Sequence, residues 1–466
     1  MEHGAVVVEG NKIIDFGSLD RLRRDYPDRS VRNFGEAAIL PGFVNVHSHL
    51  ELSILRGYLE DLPFWDWIRR LTQVKYEVLN RSDLLISALL GAVEAILSGI
   101  TTVGDPMDLG TSLDAVLETG LRGVLYQEVF SPRPEESDIA LSVLKGKICS
   151  LRDRIRSWGE NEDNTCPIGL VRPINTEFAA KRKERVSLGV SPHAPYTVSA
   201  PLFRKVYALA QSQGLPVCIH TAESQAETQF IEQGTGPIME AWQQRGIAWS
   251  AAGCSPIEYL HRLGVIGKST LLVHCIRLGE GDFKILQAAR PSIAHCPRSN
   301  WKLRHGAANL RGFFQAGLRV GLGSDSVASN NNMDFFEEMR AAFFNPSWAY
   351  GSQSGATIGA GSVAAADILR MATLGGAEAL GLDSRIGSVE KGKQADLIVV
   401  DLSQVHSQPV FSPVTTLVFS ARASDVRMTM IGGEILVEER NVLGFSMTAL
   451  RRQVEKVRDK LAHASK

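Results

Sequence analysis

Long apolar runs are missing from this 466-residue chain: no segment has 18 or more consecutive apolar residues, so no membrane-spanning helix is expected. The start, "MEHGAVVVEGNKIIDFG", lacks a basic leader followed by an apolar core, which argues against a secretory signal. Cysteine is scarce. The six present (Cys149, Cys166, Cys218, Cys254, Cys275 and Cys296) form no C-x-x-C pair and no regular framework, as suits a reduced, cytoplasmic protein. Neither sign of charge is in excess, with 50 Lys+Arg against 51 Asp+Glu, so there is no electrostatic reason to expect nucleic acid or an anionic membrane as partner. Internal repeats and low-complexity tracts are absent too. The Gly/Ser-rich stretch "WAYGSQSGATIGAGS" (348–362) reads as a mobile loop.

What the chain does have is a series of short apolar runs that end in polar or ionisable residues. They are "AILPGFVNVHSH" (38–49), "TTVGD" (101–105), "RGVLYQEVF" (122–130) and "VSLGVSPHA" (186–194), then "PVCIHTAE" (216–223), "TLLVHC" (270–275), "PSIAHCP" (291–297) and "RVGLGSDS" (319–326). Runs of this length, rich in Val, Ile and Leu, suit parallel strands buried on both faces. Helical patterns such as "DLLISALLGAVEAILSG" (83–99), "APLFRKVYALAQSQG" (200–214) and "EGDFKILQAAR" (280–290) lie between them. Periodicity alone leaves an open doubly wound sheet in play. Eight strands alternating with helices favour an α/β fold of the (β/α)8 TIM-barrel type, with its site at the C-terminal strand ends.

The flanks read differently. Residues 5–16 suggest two strands around Gly10-Asn11, while 395–402 and 426–443 suggest strands and a hairpin turning at Gly432-Gly433. The expected organisation is a small β-sandwich domain built from 1–37 and 386–445, a barrel over 38–385, and an exposed C-terminal helix over 446–466.

Eleven histidines occur, and six of them (His47, His49, His193, His220, His274 and His295) stand at or next to an expected strand end, with Asp325 ending the last strand. A lone histidine there is more often a hydrogen-bonded, half-buried ring. Six at one rim with a carboxylate suit a divalent transition metal with one position open for water, and His47, His49, His220 and Asp325 are the candidate ligands. In "HSHLELS", Glu51 shares the face of His47 and His49 if the strand persists that far, and is then a substrate contact that could accept from a hydroxyl or amine; if the chain turns at Leu50, it is a loop residue.

The segments "PGFVNVHSHLELSILRG", "SPHAPYTVS", "IHTAES", "VHC", "SNWKLRHG", "GLGSDSVASNNNMDFFEEMR" and "MATLGGAEALGLDSRIGSVEKGKQADLIVVDL" resemble the amidohydrolase superfamily. Within it they are similar to the branch of methylthioadenosine/S-adenosylhomocysteine deaminases and triazine hydrolases, over about residues 5 to 440. The H-x-H near the start combined with a distant S-D-S is the specific part. The resemblance implies one divalent metal, zinc or else iron, on His47, His49, His220 and Asp325. No lysine matches the bridging residue of dinuclear members, so one metal is expected.

The chemistry follows from these residue types. A metal-bound hydroxide would attack the ring, Glu223 would carry its proton to a ring nitrogen and then to the leaving amine, His274 would stabilise developing charge, and Asp325 would accept a second proton. The alternative reading of Glu223 is a surface acid starting the next helix. The resemblance makes His193 a substrate contact, against a structural role in the loop before the helix at 200. His295 is as well read as packing. Phe64, Trp65 and Trp67 are candidates for an aromatic wall over a planar base, with Trp67 best matched.

Two departures concern the substrate. Gln127 stands where relatives place an arginine on the third strand, and the ribose-reading proline-x-glutamate is blurred to "QVKYE" (73–77). Glu51 makes the opening similar to aminodeoxyfutalosine deaminases. Relatives also carry a further strand or two before "GAVVVEGNKIIDFG", which leaves open whether the small β domain is complete. The expected activity is deamination of a purine-type ring, a 5′-modified adenosine nucleoside first. A triazine chloro- or aminohydrolase, or a guanine or cytosine deaminase, is the alternative, and a non-catalytic ligand-binding barrel the remote one. Relatives in this branch are often homo-oligomers, so self-association is an expectation.

Overall fold

Strands buried on both faces are built mainly from apolar residues, and the eight apolar runs supply the strands of one parallel barrel. The computed structural model describes residues 2–160, 176–348 and 363–464. Cys166, and the Gly/Ser-rich stretch from residue 349 to 362, lie outside the described residues. Three strands precede the barrel: β1 (Gly4–Glu9), β2 (Lys12–Ser18) and β3 (Ala37–Pro41). The barrel follows as β4 (Phe43–Asn45), β5 (Ile100–Met107), β6 (Arg122–Val129), β7 (Val186–Pro192), β8 (Val217–Thr221), β9 (Thr270–His274), β10 (Ser292–His295) and β11 (Arg319–Leu322).

These eight strands are hydrogen-bonded in chain order. The ring closes where the Val46 N–H donates to the Leu322 carbonyl at 2.9 Å and Ser48 bridges to Asp325. Helices wrap the outside. The one at Arg81–Leu97 opens on a reciprocal cap between Asn80 and Asp83, and the chain leaves it through Gly99 in a left-handed conformation, φ +83°.

The first apolar run differs from the sequence reading. It is two strands broken at Gly42, where a Cβ would lie only 2.1 Å from the Thr101 side chain. β3 leaves the barrel to pair with β12 (Leu397–Asp401), and β13 (Val426–Ile431), β14 (Glu434–Glu438) and β15 (Asn441–Val442) extend that antiparallel sheet. The β1–β2 hairpin packs across it through Val6, Val8, Ile13, Ala395 and Leu397. Both chain ends therefore contribute to one small two-sheet unit. Gly433 is required there, because a Cβ on it would lie 1.9 Å from the Gly10 carbonyl oxygen. The helix Met447–Ala464 buries Leu450, Val457 and Leu461 and packs on the helix at Arg81–Leu97.

Buried ion pairs join sheet and barrel: Arg182 and Arg185, just before β7, reach Glu434 of β14 at 2.6 and 2.9 Å, and a third pair is bidentate. Arg122 at the start of β6 donates to Asp396 through Nε at 2.7 Å and Nη2 at 3.0 Å, and both residues are under 5% exposed. Asp396 also accepts the Gly432 N–H at 2.7 Å. Asp396→Ala strands a buried guanidinium and should destabilise the fold by about 3–5 kcal/mol. The measurement is the urea unfolding midpoint, and an unchanged midpoint would contradict this account of the junction.

Candidate active site

Strand β4 ends at Asn45, yet His47 and His49 still converge, because the following residues stay in register with the end of β11. The Asp325 N–H donates to the His47 carbonyl at 2.9 Å. Asp325 Oδ1 then lies 3.4 Å from His47 Nε2 and 3.6 Å from His49 Nε2. His220, near the end of β8, brings its Nε2 within 3.2 Å of His47 Nε2. Its Nδ1 lies 3.2 Å from the His193 carbonyl oxygen, which can only accept. Nδ1 therefore carries the hydrogen and Nε2 presents a bare lone pair.

The electrostatics suit a ligand set. Burial holds His47 below its usual range, and burial with neighbouring histidines holds His49 and His220 well below it, so these rings are neutral. Burial alone would raise the Asp325 carboxyl, but its bond to His47 and the charge of His274 outweigh that and keep it ionised. Its other oxygen accepts from the hydroxyls of Ser299 and Ser329. Three neutral imidazoles and an anchored carboxylate fit zinc or a similar divalent ion, and these four residues could hold it. Left-handed backbone clusters at this rim, at Ala222 (φ +51°), His274 (φ +72°) and Asp325 (φ +58°).

Glu223 lies beside this cluster. The residue is 6% exposed, with its Oε1 3.5 Å from His274 Nε2, and burial raises its pKa. His274 is fixed through Nδ1, 2.9 Å from Asn300 Oδ1. Burial lowers its pKa, but Glu223 and Asp325 outweigh the burial and raise it. Glu227 accepts the backbone N–H groups of Ala222 and Glu223 at 3.0 and 2.9 Å, which fixes the path of the chain.

These groups floor a cavity of about 1290 Å³, walled by Phe64, Trp65, Trp67, Phe130, Tyr196 and Trp242. Trp67 lines it from the helix Phe64–Gln73. His193 lines it as well, while its Nδ1 bonds the Thr197 hydroxyl at 2.8 Å in the loop before the helix Ala200–Gln213.

Two expected substrate contacts sit elsewhere. At Leu50 the chain enters a 3-10 turn, Leu50–Leu55, which carries Glu51 away from the cavity. Its carboxylate accepts from the N–H of Asp108 at 3.2 Å, the N–H of Thr111 at 3.0 Å and the Thr111 hydroxyl at 3.0 Å. It therefore anchors the loop after β5, where the helix Thr111–Thr119 has no side-chain cap of its own. Gln127 is turned into the wall, donating to the carbonyls of Met107, Asp108 and Glu128 at 3.0–3.2 Å. Strand alternation gives the cavity face to Glu128 instead, whose carboxyl burial pushes up to about 8. Alternation in "LYQEVF" requires one of the two to face the cavity but does not say which.

Lys75 and His305 were also missed. Lys75 and Glu77 both line the cavity from the segment "QVKYE". His295 is buried with both ring nitrogens unpartnered among the described residues, and it does not line the cavity. Cys275 and Cys296 are buried free thiols.

Residues 38–436 match the amidohydrolase family. A relative from Pelotomaculum thermopropionicum, a 5-methylthioadenosine/S-adenosylhomocysteine deaminase by name, is 33% identical over 458 residues, 97% of this chain and 93% of its own. The chain belongs to the amidohydrolase family. A protein of the same name from Nitratidesulfovibrio vulgaris is 31% identical, over 98% of this amidohydrolase and 92% of the relative. Residues 4–28 also match a bacterial imidazolonepropionase-like composite domain. Among solved structures, a zinc-bound adenosine deaminase from Xanthomonas campestris superposes with a TM-score of 0.80 at 26% identity, covering 99% of this chain and 94% of that one. A triazine hydrolase variant shares the fold, with a TM-score of 0.77 at 20% identity and coverage of 99% and 95%. This amidohydrolase is a hydrolase acting on carbon–nitrogen bonds in amidines, of the deaminase type, with a histidine-rich metal site. No helix among the described residues is long and apolar enough to cross a membrane.

Proposed function

We propose that this amidohydrolase removes ammonia hydrolytically from the adenine ring of a 5′-modified adenosine nucleoside, with one zinc ion held by His47, His49, His220 and Asp325. The observation that carries this reading is the placement of the Glu223 carboxylate, buried on the cavity floor with His274 Nε2 at 3.5 Å, beside the converging histidines and Asp325. A bound divalent metal lowers the pKa of water towards 7 and so supplies hydroxide at neutral pH. Glu223 takes a proton from the attacking water and hands it to the ring nitrogen, then assists departure of the amine. His274, braced by Asn300, holds the attacking oxygen. Asp325, kept ionised by its neighbours, accepts the remaining proton and gives it up to the departing amine, which leaves as ammonia.

The names of the relatives support an adenosine-type substrate. The cavity size supports it too: about 1290 Å³ leaves room for a 5′ substituent beside base and ribose. The aromatic residues of its wall suit a planar ring.

The test is an ammonia-release screen over adenosine, 5′-methylthioadenosine, S-adenosylhomocysteine, guanine, cytosine and triazines. At least one 5′-modified adenosine should reach a kcat/KM of about 10⁴ M⁻¹s⁻¹ or more, within the range of working enzymes. Activity confined to guanine, cytosine or triazines would overturn the substrate class.

A further inference from the structure

The turn after the helix Pro297–Lys302 brings a second imidazole to Glu223. His305 is 5% exposed, and its Nε2 lies 3.5 Å from Glu223 Oε1. His274 Nε2 approaches that same oxygen, also at 3.5 Å. One residue positions both rings. Asn300 accepts the His305 N–H through its backbone carbonyl at 2.9 Å, and its side-chain Oδ1 lies 2.9 Å from His274 Nδ1. The turn itself needs left-handed backbone on both sides of His305, at Arg304 (φ +61°) and Gly306 (φ +99°). The imidazole packs edge-on against Phe64 of the cavity wall, with centroids 4.4 Å apart. Its Nε2 is buried without a hydrogen-bond partner among the described residues, and Glu223 Oε1 is the acceptor it faces. Burial pushes the ring's pKa down to about 3, so it is neutral and meets a carboxylate as the Nε2–H tautomer.

We propose that His305 is a positioning residue for proton transfer: its Nε2–H holds Oε1 of Glu223, which leaves His274 free for the attacking oxygen, so that the travelling proton is carried on Oε2. This rests on the reading of Glu223 as proton carrier. The O–H bond of the attacking water breaks as Oε2–H forms. That bond breaks in turn as the proton passes to the ring nitrogen, and Oε1 remains an acceptor throughout. Fixing one oxygen aims the other, and a misaimed group of this kind costs rate without costing affinity.

The experiment is a mutant cycle on whichever compound the wild type turns over fastest, with kcat, KM and metal content measured for each protein. His305→Leu should lower kcat by about 10–100-fold, with KM within about threefold and metal content unchanged. His305→Gln, which keeps an N–H donor, should recover most of that loss. In a Glu223→Gln background the Leu substitution should cost no more than about twofold, because the group it positions has gone. His305→Phe, able to pack on Phe64, is run in parallel, so that the result does not depend on one apolar variant folding.

Losses that multiply in the double variant would overturn the proposal, as would apolar variants with wild-type kcat, or a Gln variant no better than Leu. Normal turnover in Glu223→Gln alone would remove the proton-carrier reading itself. Impaired Glu223→Gln with uncoupled His305 would remove only the present proposal.

Discussion

Glu223→Gln is expected to retain one equivalent of metal and the wild-type fold while losing turnover by about 10²–10⁴-fold, the usual contribution of a positioned acid–base group. The substitution is nearly isosteric. It keeps a polar group 3.5 Å from His274 Nε2 and leaves the backbone N–H bonds to Glu227 untouched, since these are made by the main chain of residues 222 and 223. What it removes is the ability to take up and release a proton. Substrate affinity should change little. The check is kcat and KM together with metal analysis of the same preparation. Unchanged turnover would exclude Glu223 as the shuttle, whereas loss of metal with turnover would mean that it supports the metal rather than the proton.

The barrel was legible because strands buried on both faces favour short runs rich in apolar residues, and all eight residues of β5 and of β6 are buried. The histidines stood out for a related reason. An imidazole at the end of an apolar run is conspicuous, and residues at strand ends keep their direction even when the strand stops, as His47 and His49 do. Glu51 marks where that reasoning fails. Its placement depends on a turn at Leu50, and that turn is stabilised by tertiary partners: Asp105 accepts the Leu50 N–H at 2.8 Å, from a strand 55 residues away in sequence.

Gln127 and Glu128 fail differently. Adjacent strand residues face opposite ways, so an error of one in matching a relative's position exchanges wall for cavity. The aminodeoxyfutalosine likeness rested on the H-x-H-L-E opening that contains Glu51. With its carboxylate engaged by residues 108–111, Glu51 does not line the cavity, whereas Glu128 and Lys75 do. His305 was present in the quoted "SNWKLRHG" but carried no signal of its own. Its relation to Glu223 exists only once the turn at 304–306 brings two distant segments together.

His47→Ala is expected to abolish stoichiometric metal and to reduce turnover by more than about 10³-fold, since a metal's stabilisation of the transition state is worth several kcal/mol. His47 is the hub of the cluster. Its Nε2 is 3.2 Å from His220 Nε2 and 3.4 Å from Asp325 Oδ1, so its loss removes the donor that the others share as neighbour. His49 and Asp325 remain, but an incomplete set bound to an ion that prefers four ligands gives up affinity steeply. A readout independent of activity is available. A ligand that binds only the folded chain stabilises it by about 4 kcal/mol at a thousandfold excess over Kd. The wild-type thermal midpoint should therefore fall on chelation and return with added zinc, while that of His47→Ala should respond to neither. A variant that keeps one equivalent of metal after dialysis would show that the ion is held elsewhere. Together with Glu223→Gln, which should lose turnover with its metal in place, this variant separates the group that binds the ion from the group that moves the proton.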